Sequence, residues 1–179
     1  MLPTRVPPQD RRLTQTESEG LETNIPSKWT GKKEAEVAIL ISDKIDFKKR
    51  DIKADLEGHS ITLKGRIHQE DTNNVSIYAS NIGAPKYIKK ILKGFKKDID
   101  SNTIIVGDFN TPLSKMERSS KQNIKKNFVS LNNALDEMDL TDICRAFHPN
   151  EAKYTFLSSV HGTFSKTDYM ITQSKPQQI

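Results

Sequence analysis

With 179 residues, the chain is long enough for one domain with a hydrophobic core, and its net charge of +5 favours anionic partners only mildly, since 23 acids offset 28 bases. The sequence pI of about 9.2 and mean hydropathy of −0.66 fit a solvated, lysine-rich surface equally well. A single cysteine excludes an internal disulfide and a cysteine-based zinc site. The sequence has no apolar run of spanning length and no secretory leader, so we expect a nuclear or cytoplasmic protein with no membrane partner.

Residues 1–33 are predicted to be a disordered or unrelated leader, because prolines alternate there with polar residues and no hydrophobic periodicity is present. The folded domain is predicted over residues 34–172 and is followed by a short tail, residues 173–179. Four strands are predicted early in the domain, at residues 37–41, 45–48, 60–67 and 75–79. Residues 60–67 alternate between polar and apolar with period two, which is typical of a half-exposed strand.

Farther along the chain the hydrophobic period changes from two to that of a helix. One predicted helix begins near Pro85, with lysines opposite an apolar face made by Tyr87, Ile88, Ile91, Leu92 and Phe95. A second helix is capped by Ser119 or Ser120, and residues 140–147 are predicted to form a third, short one. Strands are predicted at residues 104–106, 154–157 and 168–171. Because strands outnumber helices and tend to form hairpins, we expect a layered α/β sandwich.

The most informative segment is the apolar strand at residues 104–106, which continues into Gly107-Asp108-Phe109-Asn110. Residues two apart in a strand face the same way, so Asp108 and Asn110 are predicted to point into one cleft while Phe109 turns into the core. A carboxylate beside an amide suits phosphodiester chemistry, since the acid moves a proton or holds a metal and the amide binds a phosphoryl oxygen. Ordinary turn chemistry explains the same four residues, and the segment alone leaves both interpretations open.

Other polar residues stand at predicted strand ends, and each has a simpler explanation. Tyr78 would cap a strand with its hydroxyl in water, Asn81 would supply a turn, and Thr155 is a common strand residue. Lys166 would be solvated, and Asp168 would pair with a surface lysine. Taken singly, these residues do not separate a functional site from a structural one.

The order and spacing of these motifs resemble the endonuclease domain of mammalian LINE-type retrotransposons. That domain is a member of the endonuclease/exonuclease/phosphatase superfamily and is similar to apurinic endonucleases. The resemblance extends from about residue 34 to residue 171, nearly four fifths of the chain. The matching strings are residues 37–44, 81–85, 105–113, 140–143, 147–150 and 154–156.

The resemblance implies a four-layer α/β sandwich, in which two packed, mixed and mostly antiparallel sheets are flanked by helices. It implies cleavage of a DNA phosphodiester by water with the help of magnesium. Tyr78 would contact the scissile phosphate, and Asp108 would protonate the leaving oxygen or position the water. Asn110 would hold a phosphoryl oxygen, and Asp168 would orient a catalytic histidine. The resemblance also implies a set of DNA-contacting residues, namely Asn81, Thr155 and Lys166.

Two segments of the resembled family have no counterpart in this sequence. One is an N-terminal segment whose glutamate binds the metal, and the other is a Ser-Asp-His segment whose histidine completes the active site. We therefore assign no metal ligand, expect weak magnesium and DNA binding, and predict a truncated domain with impaired catalysis. The sandwich is expected to be incomplete, of marginal stability and with open sheet edges.

Two other functions remain open from the sequence. The chain would be a non-catalytic nucleic-acid-binding module if the lysines of two predicted helices bind phosphates, although charges opposite an apolar stripe are normal on any exposed helix. These lysines are Lys89, Lys90, Lys93, Lys96 and Lys97 on the first helix and Lys121, Lys125 and Lys126 on the second. The chain would be an active phosphodiesterase if another chain supplies the missing strands.

Overall fold

The structure, a computed structural model, describes Leu21–Thr23 and residues 37–173 apart from 56, 120–125, 152 and 160. Most of the predicted leader, residues 174–179 of the predicted tail and the start of the predicted second helix lie outside the described residues. Within the leader, Leu21–Thr23 forms strand β1, which pairs antiparallel with β2, Leu40–Ser42.

A six-stranded mixed sheet organises the rest of the described chain, in the order β3-β4-β5-β6-β10-β7. All neighbouring strands in it are antiparallel except β5 and β6, which are parallel. A further small sheet is the hairpin of β8 and β9. The predicted α/β sandwich class, with mixed and mostly antiparallel strands, is confirmed. The bounds are β3 Phe47–Ala54, β4 Ser60–Ile67, β5 Glu70–Tyr78, β6 Thr103–Asp108, β7 Leu140–Asp142, β8 Phe156–Ser158, β9 Thr163–Ser165 and β10 Asp168–Gln173.

Strands β3, β4 and β5 form two successive hairpins. The predicted bounds of β4 are confirmed, whereas β3 continues through residues 51–54, whose polar sequence gave no period. Pairing with β4 supplies the backbone hydrogen bonds that make this polar segment a strand. Strand β3 lies at the edge of the sheet, where its charged side chains and the bulge between Lys49 and Asp51 oppose pairing with another chain.

The helices are α1 (Ala84–Phe95), α2 (Lys126–Asp136) and α3 (Ile143–Phe147). Helix α1 is the crossover that the parallel pair β5 and β6 requires. Ile88 and Leu92 of its predicted apolar face are buried together with Ala84, and the other three residues of that face are partly buried against the core. The prediction of helix across residues 140–147 is wrong in its first half. Leu140–Asp142 is strand β7, because it pairs with the end of β10 and so gains backbone partners that a short helix would not give.

The main core lies against the centre of the six-stranded sheet. Val75, Ile105 and Ile171 occupy one register row on β5, β6 and β10, and all three are buried. They belong to one cluster with the apolar faces of α1 and α2, which include Leu92 and Leu131. This core fixes the three strands whose ends carry the polar residues discussed below. None of the helices in the described residues has the length and apolar character that crossing a membrane requires.

Candidate active site at one end of the central strands

Tyr78, Asp108 and Asp168 occupy one row across three neighbouring strands. Tyr78 ends β5 and pairs with Asp108 at the end of β6, and Asp108 pairs with Asp168 at the start of β10. Adjacent strands lie about 4.8 Å apart, so the row spans roughly 10 Å. Tyr78 and Asp108 are half-buried and Asp168 is exposed, which opens the row to solvent at this end of the sheet.

Gly107 brings β6 close to β5 immediately before Asp108. Its φ is +151°, and a Cβ at this position would lie 1.8 Å from the carbonyl oxygen of Ile77, its register partner. No other residue type fits such an approach without moving one of the strands. The glycine of the Gly107-Asp108-Phe109-Asn110 segment is thus required by the packing of the two strands that carry Tyr78 and Asp108.

Asn110 is hydrogen-bonded to Asp108, so the two side chains adjoin, although through a turn after β6 rather than the strand alternation from which the prediction was made. The backbone N–H of Asn110 donates to Asp108 Oδ1 over 2.9 Å, and its side-chain nitrogen donates to Ala79 O at 2.7 Å and Asp108 Oδ2 at 3.3 Å. Asn110 has a φ of +46°, a conformation that asparagine tolerates better than most residues. Phe109 is fully buried against Tyr169, which confirms its predicted direction. Residues 107–110 therefore form a polar turn, and within it the side chains of Asp108 and Asn110 lie next to each other.

Thr155 lies beside Asp168. The Thr155 hydroxyl accepts hydrogen bonds from the backbone N–H groups of Thr167, at 3.0 Å, and of Asp168, at 3.2 Å. These bonds attach the segment before β8 to the first residue of β10. Thr155 thus holds in place the backbone that carries one carboxylate of the row.

The two remaining predicted site residues differ in their surroundings. Asn81 is exposed in the turn between β5 and α1, three residues after Tyr78. Lys166 is only 6% exposed, its ammonium group pairs with Asp142, and it lies 4.8 Å from the centre of the Tyr169 ring. The structure therefore shows Lys166 as one half of a buried ion pair, and a contact of Lys166 with phosphate stays a prediction.

His59 is a neighbour of the row that sequence reasoning missed. Its carbonyl oxygen accepts the backbone N–H of Tyr78 over 2.8 Å, and its imidazole contacts the rings of Tyr78 and Tyr87 edge-on. Asp55 holds this turn by accepting the N–H of His59 at 2.7 Å, and it also accepts the Tyr87 hydroxyl at 3.3 Å. Burial and the Asp55 carboxylate together raise the pKa of Tyr87. Local sequence gives no sign of this contact, because the β4–β5 register that brings His59 to Tyr78 joins residues 19 positions apart.

The row places two carboxylates opposite each other on adjacent strands. Like charges in directly opposed positions destabilise a sheet, and in the described residues neither Asp108 nor Asp168 forms an ion pair. No three metal-binding side chains converge anywhere in that part of the chain. Magnesium, however, is commonly held by one or two carboxylates together with substrate phosphate, so the two aspartates fit it in ligand type and number.

Comparison with solved structures shows which proteins share this fold. The endonuclease domain of TRAS1, a telomere-specific non-LTR retrotransposon, aligns with a TM-score of 0.56 and 17% identity over 76% of this chain and 60% of its own. An AP endonuclease from Archaeoglobus fulgidus aligns with 0.54 and 17% over 70% and 58%. The 3′ phosphatase NExo from Neisseria, bound to a product DNA hairpin, aligns with 0.56 and 14% over 71% and 59%.

At these identities the likeness shows the fold alone, which this chain shares with the two endonucleases and the phosphatase. The chain spans about three fifths of the length of each of these three structures. No protein-family model matches the sequence.

Proposed function

We propose that this chain is a retrotransposon-derived, nuclease-like domain of the mammalian LINE type, directed at DNA phosphodiesters and catalytically impaired as a polypeptide of 179 residues. The observation that carries the proposal is the row of Tyr78, Asp108 and Asp168 on three adjacent strands. The three residues are 30 to 90 positions apart in the sequence, and they lie side by side at the ends of their strands. Each of them adjoins the buried segment of its strand. A fold shared with DNA nucleases supports the assignment.

Each residue of the row has a distinct task in the proposed reaction. The Tyr78 hydroxyl contacts a non-bridging phosphate oxygen, and Asp108 positions the attacking water or protonates the leaving oxygen. Asn110 keeps both oxygens of Asp108 oriented through its two hydrogen bonds. Asp108 and Asp168 are the residues that would hold magnesium, which supplies positive charge to the phosphate when bound. An Asp108 that holds the metal is ionised, so in that arrangement it would position the water and would not donate a proton.

We expect impaired catalysis because two catalytic groups of the resembled family have no counterpart in the sequence. General acid–base assistance contributes about 10²- to 10⁴-fold to a rate, and the histidine that Asp168 orients in the resembled family has no counterpart in the sequence. The metal-binding glutamate of that family is absent as well. The two aspartates are therefore expected to bind magnesium weakly and to leave only slow hydrolysis.

A nicking assay tests both halves of the proposal. Supercoiled plasmid DNA is incubated with the full chain and magnesium, beside the TRAS1 endonuclease domain under the same conditions. We expect nicking at least about 100-fold slower than that of the TRAS1 domain. The residual rate should be lost in Asp108→Asn and kept in Asp51→Asn, an acid exposed on β3.

Two results would contradict the proposal in different ways. Nicking at the rate of the TRAS1 domain, lost in Asp108→Asn, would show that the chain is not impaired. Slow nicking that survives Asp108→Asn would show that the row is not the reacting site.

A further inference from the structure

Helix α1 and the turn after it carry the whole excess of positive charge in this chain. Residues 84–97 contain six lysines and no acid, so the remaining residues hold 22 of the 28 bases and all 23 acids. The rest of the chain is therefore close to neutral, with a formal charge of −1. The six residues, named here the α1 lysine cluster, are Lys86, Lys89, Lys90, Lys93, Lys96 and Lys97.

The α1 lysine cluster forms one continuous stripe. Each member has another member three or four residues away, which places the cluster on a single side of the helix, opposite the buried Ala84, Ile88 and Leu92. Five of the six are exposed, and Lys89 is half-buried with its ammonium group bonded to the hydroxyl of Ser130 on α2. From Lys86 to Lys97 the stripe is about 16 Å long.

The acids near this stripe do not neutralise it. In the part of the chain that the structure describes, no lysine of the cluster lies within ion-pair distance of a carboxylate. Asp98, which follows the cluster directly, bonds instead to Lys64 on β4 at 2.7 Å. Asp100 accepts hydrogen bonds from Asn102 and Thr103.

This arrangement is unfavourable for the isolated helix. Lysines three and four residues apart repel each other, and a lysine in the first turn opposes the helix dipole. A solvated surface needs no such arrangement, since alternating acids and bases would be equally soluble and would stabilise the helix. A bound polyanion removes the repulsion, which makes the stripe complementary to a row of phosphates.

The burial of the apolar face of α1 favours a polyanion over the other partners that a basic helix can bind. Membrane surfaces and helix-binding proteins take up the apolar face of an amphipathic helix, and here that face is buried in the core. Only the charged stripe is available, so recognition is by charge. B-DNA carries a phosphate every 3.4 Å of axis on each strand, and the stripe therefore spans about five phosphates of one strand.

The position of α1 connects the stripe with the candidate active site. The helix begins at Ala84, six residues after Tyr78, and runs toward the end of the sheet where β6 starts. Lys86 thus lies nearest the row of Tyr78, Asp108 and Asp168, and Lys97 lies farthest from it. The row itself bears two carboxylates, and Lys166 beside it is paired with Asp142, so cations elsewhere on the surface must attract the DNA.

We propose that the α1 lysine cluster is a second DNA-binding surface, which holds the phosphate backbone of duplex DNA outside the candidate active site. The choice of DNA rests on the proposed function, whereas the demand for a polyanion rests on the charge distribution. Binding there is independent of base sequence and does not require magnesium.

Two quadruple variants with equal net charge test the proposal. One replaces Lys86, Lys90, Lys93 and Lys97 by Gln, which is nearly as good a helix former as lysine. The control replaces Lys44, Lys48, Lys49 and Lys53 by Gln, all exposed on or next to edge strand β3. Thermal melts verify that both variants fold, and fluorescence anisotropy measures their binding to a 20-base-pair duplex in EDTA at increasing NaCl concentrations.

We expect the α1 variant to bind the duplex roughly 10- to 100-fold more weakly near 100 mM NaCl, with a slope of log K against log salt that is smaller by about 2 to 4. The β3 control should change affinity by less than about threefold. Equal losses in both variants would overturn the proposal in favour of a net-charge effect, and an unchanged α1 variant would overturn it outright.

A third arm uses vesicles of phosphatidylcholine and phosphatidylserine. Vesicle binding that depends on the cluster, without DNA binding that depends on it, would show that the partner is a lipid surface and overturn the proposal. The readout is independent of cleavage. If the α1 variant binds DNA like the unchanged chain, the binding surface is wrong, but nicking that depends on Asp108 still supports the proposed function. If the chain does not nick DNA, binding by the α1 lysine cluster still supports the binding surface.

Discussion

Tyr78 and Asp108 are direct register partners at the ends of two parallel strands, although 30 positions separate them in the sequence. The backbone N–H of Ala79 donates to the carbonyl oxygen of Asp108 over 2.9 Å, which ties the chain together immediately beyond the pair. The phenol and the carboxylate are thereby held at one end of the sheet by backbone hydrogen bonds rather than by contacts between their own side chains. Substitutions at either side chain are therefore expected to change chemistry more than fold.

Gly107→Ala is expected to unfold or strongly destabilise the domain, by about 3 kcal/mol or more, because its Cβ would meet the carbonyl oxygen of Ile77 at 1.8 Å. Gly94→Ala is the matched control. Beyond the neighbouring residues and backbone of its own helix, no atom lies within 4 Å of a Cβ at Gly94, and alanine inside helix α1 should stabilise the protein by up to about 1 kcal/mol. Urea unfolding measures both changes, and equal effects in the two variants would contradict the close approach of β5 and β6.

Asp168→Asn is expected to stabilise the magnesium-free protein by roughly 0.2–1 kcal/mol, because it removes one of two opposed like charges. The same substitution should abolish any rise in melting temperature on adding magnesium. Thermal melts with EDTA and with magnesium measure both effects, and Asp51→Asn on β3 serves as the control. A magnesium-induced shift that is the same in Asp168→Asn and the unchanged chain would contradict a metal site at the row.

Asn110→Ala and Asn110→Gly separate the backbone role of Asn110 from its side-chain role. Both variants lose the side-chain bonds to Ala79 and Asp108, but only alanine is strained at a φ of +46°. We expect Asn110→Ala to be less stable than Asn110→Gly by about 1 kcal/mol in urea unfolding, and both to lose nicking activity equally. Normal nicking by Asn110→Gly would show that Asn110 only shapes the turn.

Tyr169 is expected to make the protein sensitive to alkali. Burial and the nearby Glu117 carboxylate raise the pKa of this phenol, whose oxygen lies 2.9 Å from Glu117 Oε2 and accepts the N–H of Leu113 at 2.9 Å. A group whose pKa is raised by folding contributes stability that is complete below its unfolded pKa of about 10 and declines as the pH rises further. Stability should therefore fall above about pH 10.

Tyr169→Phe measures that contribution. At pH 8 the variant should be less stable by about 1–2 kcal/mol, since it loses the hydroxyl bonds. Its further decline between pH 9 and 11 should be smaller than that of the unchanged chain, with Tyr154→Phe as the exposed control. An equal alkaline decline in Tyr169→Phe and the unchanged chain would contradict the role of this phenol.

Local sequence was sufficient for the bounds of the elements with a regular hydrophobic period. Helix α1 has an apolar stripe and β4 alternates, so both were predicted with nearly correct bounds. The half-exposed environment predicted for β4 is wrong in its first half, because residues 60–63 are buried on both faces of the strand. Local sequence failed to predict the segments that become strands only by pairing with another strand. The polar residues 51–54 became strand by pairing with β4, and Leu140–Asp142 became strand rather than helix by pairing with β10.

The candidate site shows the same division. Asp108 and Asn110 adjoin as expected, but the expectation rested on strand alternation, whereas a local turn after β6 brings the two side chains together. The ion pair that buries Lys166 with Asp142, the bonds from Thr155 to the start of β10, and the contact of His59 with Tyr78 join residues 12 to 24 positions apart. Side chains at such separations meet only after the sheet register is set.

By itself, then, the sequence determined the α/β class, the amphipathic helix α1 with its charge, and the polar turn after β6, since each depends on periodicity or on neighbouring residues. Only the tertiary structure decided that Tyr78, Asp108 and Asp168 form one row, because that requires β5, β6 and β10 to pair in one register. The physical reason is that backbone hydrogen bonds between strands are nearly independent of side-chain identity. Register is set by burying Val75, Ile105 and Ile171 together in the core, at a distance from the polar residues that it aligns.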